Sequence, residues 1–154
     1  MAWIGYHVGM PRSPVQVPDS DSDDLLRLAE QWLLNNTRLE ALNRTSMARV
    51  SVRLTERLLL AESTCVGIAG APGSGKSTLA ALLVQLLNGH GVMSCTLCVD
   101  DYYLSSQARR ELAGLYHPAL VQRGLPGTHD LQALLSDLDA VSYTHLTLPT
   151  NREV

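Results

Sequence analysis

No apolar run in this sequence is long enough to cross a bilayer, and Met1 to Met10 lacks the charged start and long apolar centre of a secretory signal. A transmembrane or exported chain is thereby disfavoured, and a cytoplasmic location is expected. Basic residues are not in excess: Lys and Arg number 12 against 15 Asp and Glu, for a net charge of -3, which argues against a nucleic-acid partner. Cysteine is scarce and odd in number. Cys65, Cys95 and Cys98 offer no disulfide framework, which fits a reducing compartment. Cys95 and Cys98 have C-x-x-C spacing, but they fall in a predicted strand, where an offset of three turns side chains to opposite faces. They read as small core residues rather than as redox or zinc ligands.

What the sequence does have, over 154 residues that are 45% hydrophobic, is the composition of one soluble globular domain. Its most informative stretch is Gly70-Ala71-Pro72-Gly73-Ser74-Gly75-Lys76-Ser77, followed by Thr78. This satisfies G-x-x-x-x-G-K-[ST], the P-loop pattern, and its flanks agree. Thr64 to Ala69 is a short, partly β-branched apolar run that reads as a buried parallel strand. Leu79, Leu82, Leu83, Leu86 and Leu87 recur at helical spacing, and Gly89 and Gly91 supply a stop. Gly70, Gly73 and Gly75 let the backbone approach phosphates through its N–H groups at a helix N-terminus. Lys76 is placed to reach the β- and γ-phosphates, and the Ser77 hydroxyl to ligate Mg²⁺. The ligands implied are ATP and Mg²⁺.

Ahead of the loop, residues 1–22 contain Pro11, Pro14 and Pro18 and little periodicity, and a loose N-terminal arm is expected. The acidic run Asp19 to Asp24 offers caps for a helix whose apolar face is Leu25, Leu28, Ala29, Trp32 and Leu33. A second helix over Ser46 to Ala61 sets Met47, Val50, Leu54, Leu58 and Ala61 on one side and Arg49, Arg53 and Arg57 on another. The arginine row reads as a solvated face, with a phosphate or partner surface as the alternative.

Beyond the P-loop helix, Val92 to Val99 is a second apolar strand, ending at Asp100-Asp101-Tyr102-Tyr103-Leu104. Strand, helix and strand make a βαβ unit, so the two strands are expected to run parallel with both C-terminal ends on the P-loop side. Asp100 is then expected near the γ-phosphate, to accept a hydroxyl proton or hold Mg²⁺, with Asp101 beside it; the alternative is that either aspartate caps a helix at Ser105 to Ala113. Further on, Arg123-Gly124-Leu125-Pro126-Gly127-Thr128-His129-Asp130 is a shaped loop combining a cation, a hydroxyl, an imidazole and a carboxylate, a set suited to a small polar, anionic substrate. Asp130 is also in position to cap a helix starting at Leu131.

These three segments, in this order, resemble the D-glycerate 3-kinase family, a group of P-loop kinases related to pantothenate kinase, uridine kinase and phosphoribulokinase. The resemblance covers about residues 24 to 140. Tyr102 stands where the family usually has phenylalanine. The resemblance implies an α/β P-loop NTPase-type parallel sheet with flanking helices, preceded by two helices, and phosphoryl transfer from ATP to the 3-hydroxyl of D-glycerate. Asp100 then matches the catalytic aspartate, with Lys76 and Ser77 on phosphate and Mg²⁺. Asp101, Tyr102, Arg123, His129 and Asp130 make up the substrate side. Kinases for uridine or pantothenate, a P-loop GTPase or ATPase, and an inactive nucleotide-binding fragment stay open as alternatives.

Val141 to Thr150 reads as the translation of a transposase-type sequencing adapter. The native sequence is expected to stop near Ala140, leaving residues 23–140 as a partial kinase domain and 141–154 as a foreign tail. Only two strands are legible, where a doubly wound sheet has about five, so the domain is expected to be incomplete on its C-terminal side.

Overall fold

A computed structural model describes residues 2–6, 22–61 and 65–143. In chain order the elements are β1 (Ala2–Tyr6), α1 (Ser22–Asn36), α2 (Ala41–Leu60), β2 (Cys65–Ile68), α3 (Lys76–Gly89), β3 (Ser94–Cys98), a 3-10 turn (Val99–Tyr102), α4 (Ser106–Leu115), a second 3-10 turn (Pro118–Val121) and α5 (Leu131–Tyr143). The chain divides into two compact units, residues 1–96 and 97–154. No helix among the described residues is long and apolar enough to cross a membrane.

The first unit is organised on α3, an apolar helix that buries side chains in two directions. Leu82 and Leu86 join Ala29 and Leu33 of α1 and Ala48 and Val52 of α2 in one aliphatic core, edged by Leu25, Leu26, Trp32, Leu39 and Met47. Ala80 and Leu83 pack into a second cluster with Leu54 and Leu58 of α2 and Val66 and Ile68 of β2. The expected leucine stripe of the P-loop helix is thus the core, and the expected stop is there too, with Gly91 at φ +75° just beyond the helix.

Both helices ahead of the loop are present, α2 starting at Ala41 rather than at the expected Ser46, but two residues of their predicted faces are not buried. Leu28 is 51% exposed and Leu26 packs in its place; Val50 is 50% exposed, whereas Ala48, Ser51, Val52 and Thr55 make the buried stripe of α2. Small and hydroxylated residues let α2 lie close to its neighbours. Ser51 and Thr55 turn their hydroxyls back onto the Met47 and Ser51 carbonyls at 2.8 and 2.9 Å, so neither is left unsatisfied in the core.

The sheet departs from the βαβ expectation. It has three strands in the order β2-β1-β3, so β1 lies between the two strands that α3 connects. β1 runs antiparallel to β2, with Ala2 opposite Ile68 and Gly5 opposite Cys65. Part of the expected loose arm is therefore a strand: a five-residue stretch with no readable hydrophobic period is recruited by the unpaired backbone edge of β2, a signal absent from local sequence. The remainder of the arm, residues 7–21, and residues 144–154 of the expected tail lie outside the described residues. α5 itself continues past Ala140 to Tyr143.

Cys65 sits in β2, Cys95 and Cys98 in β3, all three as partly buried free thiols. Burial raises the thiol pKa of Cys65 and of Cys95, the latter also through its neighbour Cys65. Thiolate is accordingly scarce at neutral pH, as befits packing residues.

The packing sets a clear contrast. Leu33→Ala should cost about 2–5 kcal/mol by removing a fully buried side chain, whereas Leu28→Ala should stay within about 0.5 kcal/mol; urea denaturation of the two variants measures both.

Candidate active site

In the first unit, residues 69–75 link the end of β2 to the start of α3. Gly73 and Gly75 both take left-handed conformations, φ +74° and +85°, which residues with a Cβ rarely adopt. At Gly70 the constraint is space: a Cβ there would lie 2.9 Å from the Ser74 hydroxyl. The loop closes on itself through the Ser74 N–H donating to the Ala71 carbonyl at 3.2 Å. Gly75 is the N-cap of α3 and has no side chain with which to cap it. The first-turn amides of α3 therefore have no acceptor from the cap side chain, and a helix N-terminus in that condition favours an anion.

Lys76 opens α3, and its Nζ donates to the Ala71 carbonyl at 2.8 Å, holding the ammonium against the loop. It is the only lysine in the chain. Ser77 follows with an exposed side chain and Thr78 is partly buried. Gly70 to Ser74 are exposed, so this cradle is open to a nucleotide. From the side, Met47 of α2 limits the loop: its Cε lies 2.9 Å from where a Cβ on Gly75 would sit. Met47 was legible only as an apolar helix position. The residues fit a nucleotide triphosphate with Mg²⁺, since main-chain donors, one cation and one serine hydroxyl are grouped at a single helix start.

In the second unit the two remaining sequence segments come together. The Asp130 N–H donates to the Tyr102 carbonyl at 2.7 Å and the Leu104 N–H to the Thr128 carbonyl at 2.9 Å, with Tyr103 and His129 paired between them as an antiparallel bridge. In such a non-hydrogen-bonded pair the side chains stand close on one face. The Tyr103 and His129 rings accordingly stack with centroids 4.0 Å apart, and the Arg123 guanidinium lies 5.3 Å from the Tyr103 centroid. Their chain neighbours Tyr102 and Thr128 have other partners. Tyr102 is buried and its hydroxyl donates to Asp137 of α5 at 2.8 Å, and Thr128 is fully buried with its hydroxyl on the Leu125 carbonyl at 2.6 Å.

The loop that carries Arg123 is shaped by its turn residues. Pro126 and Gly127, the latter at φ +88°, form the middle of a turn closed by the Thr128 N–H on the Leu125 carbonyl at 3.2 Å, the type II pattern. Arg109 of α4, 8% exposed, ties this region to the aspartate segment: its Nε donates to the Val121 carbonyl at 3.1 Å and its guanidinium also donates to the Leu104 carbonyl. Nothing in the local sequence marks Arg109, because both acceptors are main-chain groups.

Asp100 and Asp101 lie in the 3-10 turn after β3 with exposed side chains. Neither caps α4; Ser105 does, through its hydroxyl accepting from the Ala108 N–H at 3.2 Å. The capping alternative for the aspartates is thereby excluded. Asp130, by contrast, accepts the Ala133 N–H on Oδ1 at 3.0 Å, so it caps α5. Of the expected substrate residues, the second unit groups Arg123 and His129 around Tyr103, engages Tyr102 and Asp130 with α5, and leaves Asp101 exposed. Among the described residues no group of three or more His, Cys, Asp or Glu side chains is gathered as a metal site.

Comparison with known proteins now bears on the site. The chain is 40% identical over 77 residues to the uncharacterized kinase mug58 of Schizosaccharomyces pombe, covering 49% of this chain and 28% of that protein. It is 34% identical over 79 residues to the chloroplastic D-glycerate 3-kinase of Arabidopsis thaliana, covering 50% of this chain and 17% of that protein. Half of this chain resembles the glycerate 3-kinase-like kinases. The resemblance drawn from the motifs is thus supported by similarity over about half of the chain. The chain spans less than a third of the length of either relative. No protein-family model and no solved structure matches it.

Two outcomes are expected. An amine-directed reagent should modify only the N-terminal amine and Lys76, with MgATP protecting Lys76 in a peptide mass map; equal labelling with and without nucleotide would remove Lys76 from the phosphate site. Arg109→Lys, which loses a planar fork bonded to two carbonyls, should cost about 1.5–3 kcal/mol and speed hydrogen exchange at the Leu104 and Asp130 amides.

Proposed function

We propose that this chain carries the nucleotide-binding and acceptor-binding parts of an ATP-dependent small-molecule kinase, with D-glycerate as the acceptor and its 3-hydroxyl as the site of transfer. The observation that carries the reading is the glycine loop at the start of α3, with Lys76 and Ser77 in its first turn, in a chain half of which is similar to two named kinases. The acceptor comes from the resemblance to the D-glycerate 3-kinase.

In this reading the loop amides and Lys76 bind the β- and γ-phosphates, and Lys76 exchanges its bond to the Ala71 carbonyl for phosphate oxygens. Ser77 would hold Mg²⁺, which when bound would neutralise phosphate charge. Asp100 accepts the proton of the acceptor hydroxyl as that oxygen attacks phosphorus and ADP leaves. Arg123, with His129, binds the anionic end of the acceptor. Tyr102 and Asp130 act indirectly, by fixing the 102–104 and 128–130 ladder to α5. Little covalent chemistry falls to the protein, and catalysis is chiefly positioning and charge stabilisation.

The test is ADP release with D-glycerate, uridine or pantothenate as acceptor. D-glycerate should support turnover, Lys76→Ala should abolish it, and Asp100→Asn should lower kcat by about 10²–10⁴-fold with ATP affinity little changed. Unchanged turnover in Asp100→Asn would sink its assignment as the base, and turnover with uridine or pantothenate alone would replace the acceptor.

A further inference from the structure

Tyr103 has no role in the reading above, yet it is the side chain through which Arg123 and His129 meet. Its placement has a backbone cause, because the bonds flanking the bridge at Tyr102–Asp130 and Leu104–Thr128 fix Tyr103 opposite His129. Arg123 is an exposed residue on a turn, between Val121 and the left-handed Gly124 at φ +96°. A free arginine there would sample many rotamers and lose that freedom on binding an anion. An aromatic face beside the guanidinium restricts it beforehand, and a cation–π contact consumes none of its five N–H donors.

Resting on the kinase reading of the preceding section, we infer that Tyr103 is a positioning residue. It holds Arg123 ready to take the carboxylate of the acceptor, so that the site prefers hydroxy acids to neutral polyols. The geometry separates two tasks within one short segment. Tyr102 faces inward and fastens the ladder to α5, whereas Tyr103 faces the loop and presents the cation. A planar guanidinium with its donors unspent matches a carboxylate in bidentate fashion, and glycerol, which carries a hydroxymethyl group in place of the carboxylate, has no counterpart for it.

The experiment is calorimetric titration of the 154-residue chain with D-glycerate and with glycerol, for the wild type, Tyr103→Phe, Tyr103→Leu and Arg123→Gln. The wild type should bind D-glycerate in preference to glycerol. Tyr103→Phe keeps the ring and should stay within about twofold, and Tyr103→Leu should weaken D-glycerate about three- to tenfold while leaving glycerol unchanged. Arg123→Gln, at an exposed position where folding is not at stake, should remove the preference. Ring-current shifts on the Arg123 side-chain protons, present in the wild type and Tyr103→Phe but lost in Tyr103→Leu, report the contact independently of any acceptor. D-glycerate binding unaltered in Tyr103→Leu or in Arg123→Gln overturns the inference and leaves the kinase reading standing. No preference for D-glycerate over glycerol in the wild type overturns the carboxylate subsite, and absence of binding by both overturns it together with the choice of D-glycerate as acceptor.

Discussion

The left-handed turn at Gly75 is the constraint on which the first unit rests. It ends the loop and starts α3 in one residue, leaves the helix N-terminus without a side-chain cap, and admits the Met47 methyl against the backbone. A residue with a Cβ would meet both a disfavoured φ and that methyl, so the conformational cost and the steric cost coincide. From this joint the direction of α3 follows. Its leucines then have two sides to fill, one with α1 and α2 and the other with α2 and β2. The same helix therefore supplies the core that holds the unit together and the amide donors that define its site, and burying the first fixes the second.

The second unit is held in another way. Its most buried groups include Arg109 and Thr128, and many of the bonds that join its segments end on main-chain carbonyls, those of Leu104, Thr128, Val121 and Tyr102 among them. A hydrogen bond from a charged donor contributes more than a neutral one but demands fixed geometry. Such a unit trades apolar burial for precision in where its loops sit. That trade suits a loop presenting a cation to a small anion, since a displacement of about 1 Å is enough to impair recognition.

The parts of the molecule legible in the sequence are those set by local chemistry. The glycine pattern of the P-loop, the leucines of α3 and the Pro126-Gly127 turn each follow from residue type and spacing alone. Structure and local pattern part where a distant partner decides. Leu28 and Val50 fit an apolar stripe by spacing, but the neighbour that would cover them is elsewhere; Ala48 and Ser51 are buried instead, and Leu26 packs at the edge of the core. β1 was invisible because pairing with β2, not its own periodicity, makes it a strand. Asp130 satisfied two readings at once, and geometry shows only that one carboxylate oxygen is engaged in the cap. Arg109 had no legible signal, because carbonyl acceptors leave no mark in side-chain identity.

The contrast between adjacent tyrosines shows how a short motif divides its work. Tyr102 ends the 3-10 turn and Tyr103 stands in the bridge to His129, so the two rings have different surroundings. Tyr102 lies on the face that α5 covers, where its ring adds buried area and its hydroxyl finds Asp137. A phenylalanine there would supply the area without that bond, so the hydroxyl adds a tether to a position otherwise defined by burial. Tyr103 lies on the other face, beside His129 and Arg123, where its ring matters through its electron-rich face rather than through area removed from water. The inward residue is fastened to α5 and the outward one carries the stack with His129 and the cation contact with Arg123, so exchanging a ring for an aliphatic side chain at the two positions acts on different contacts.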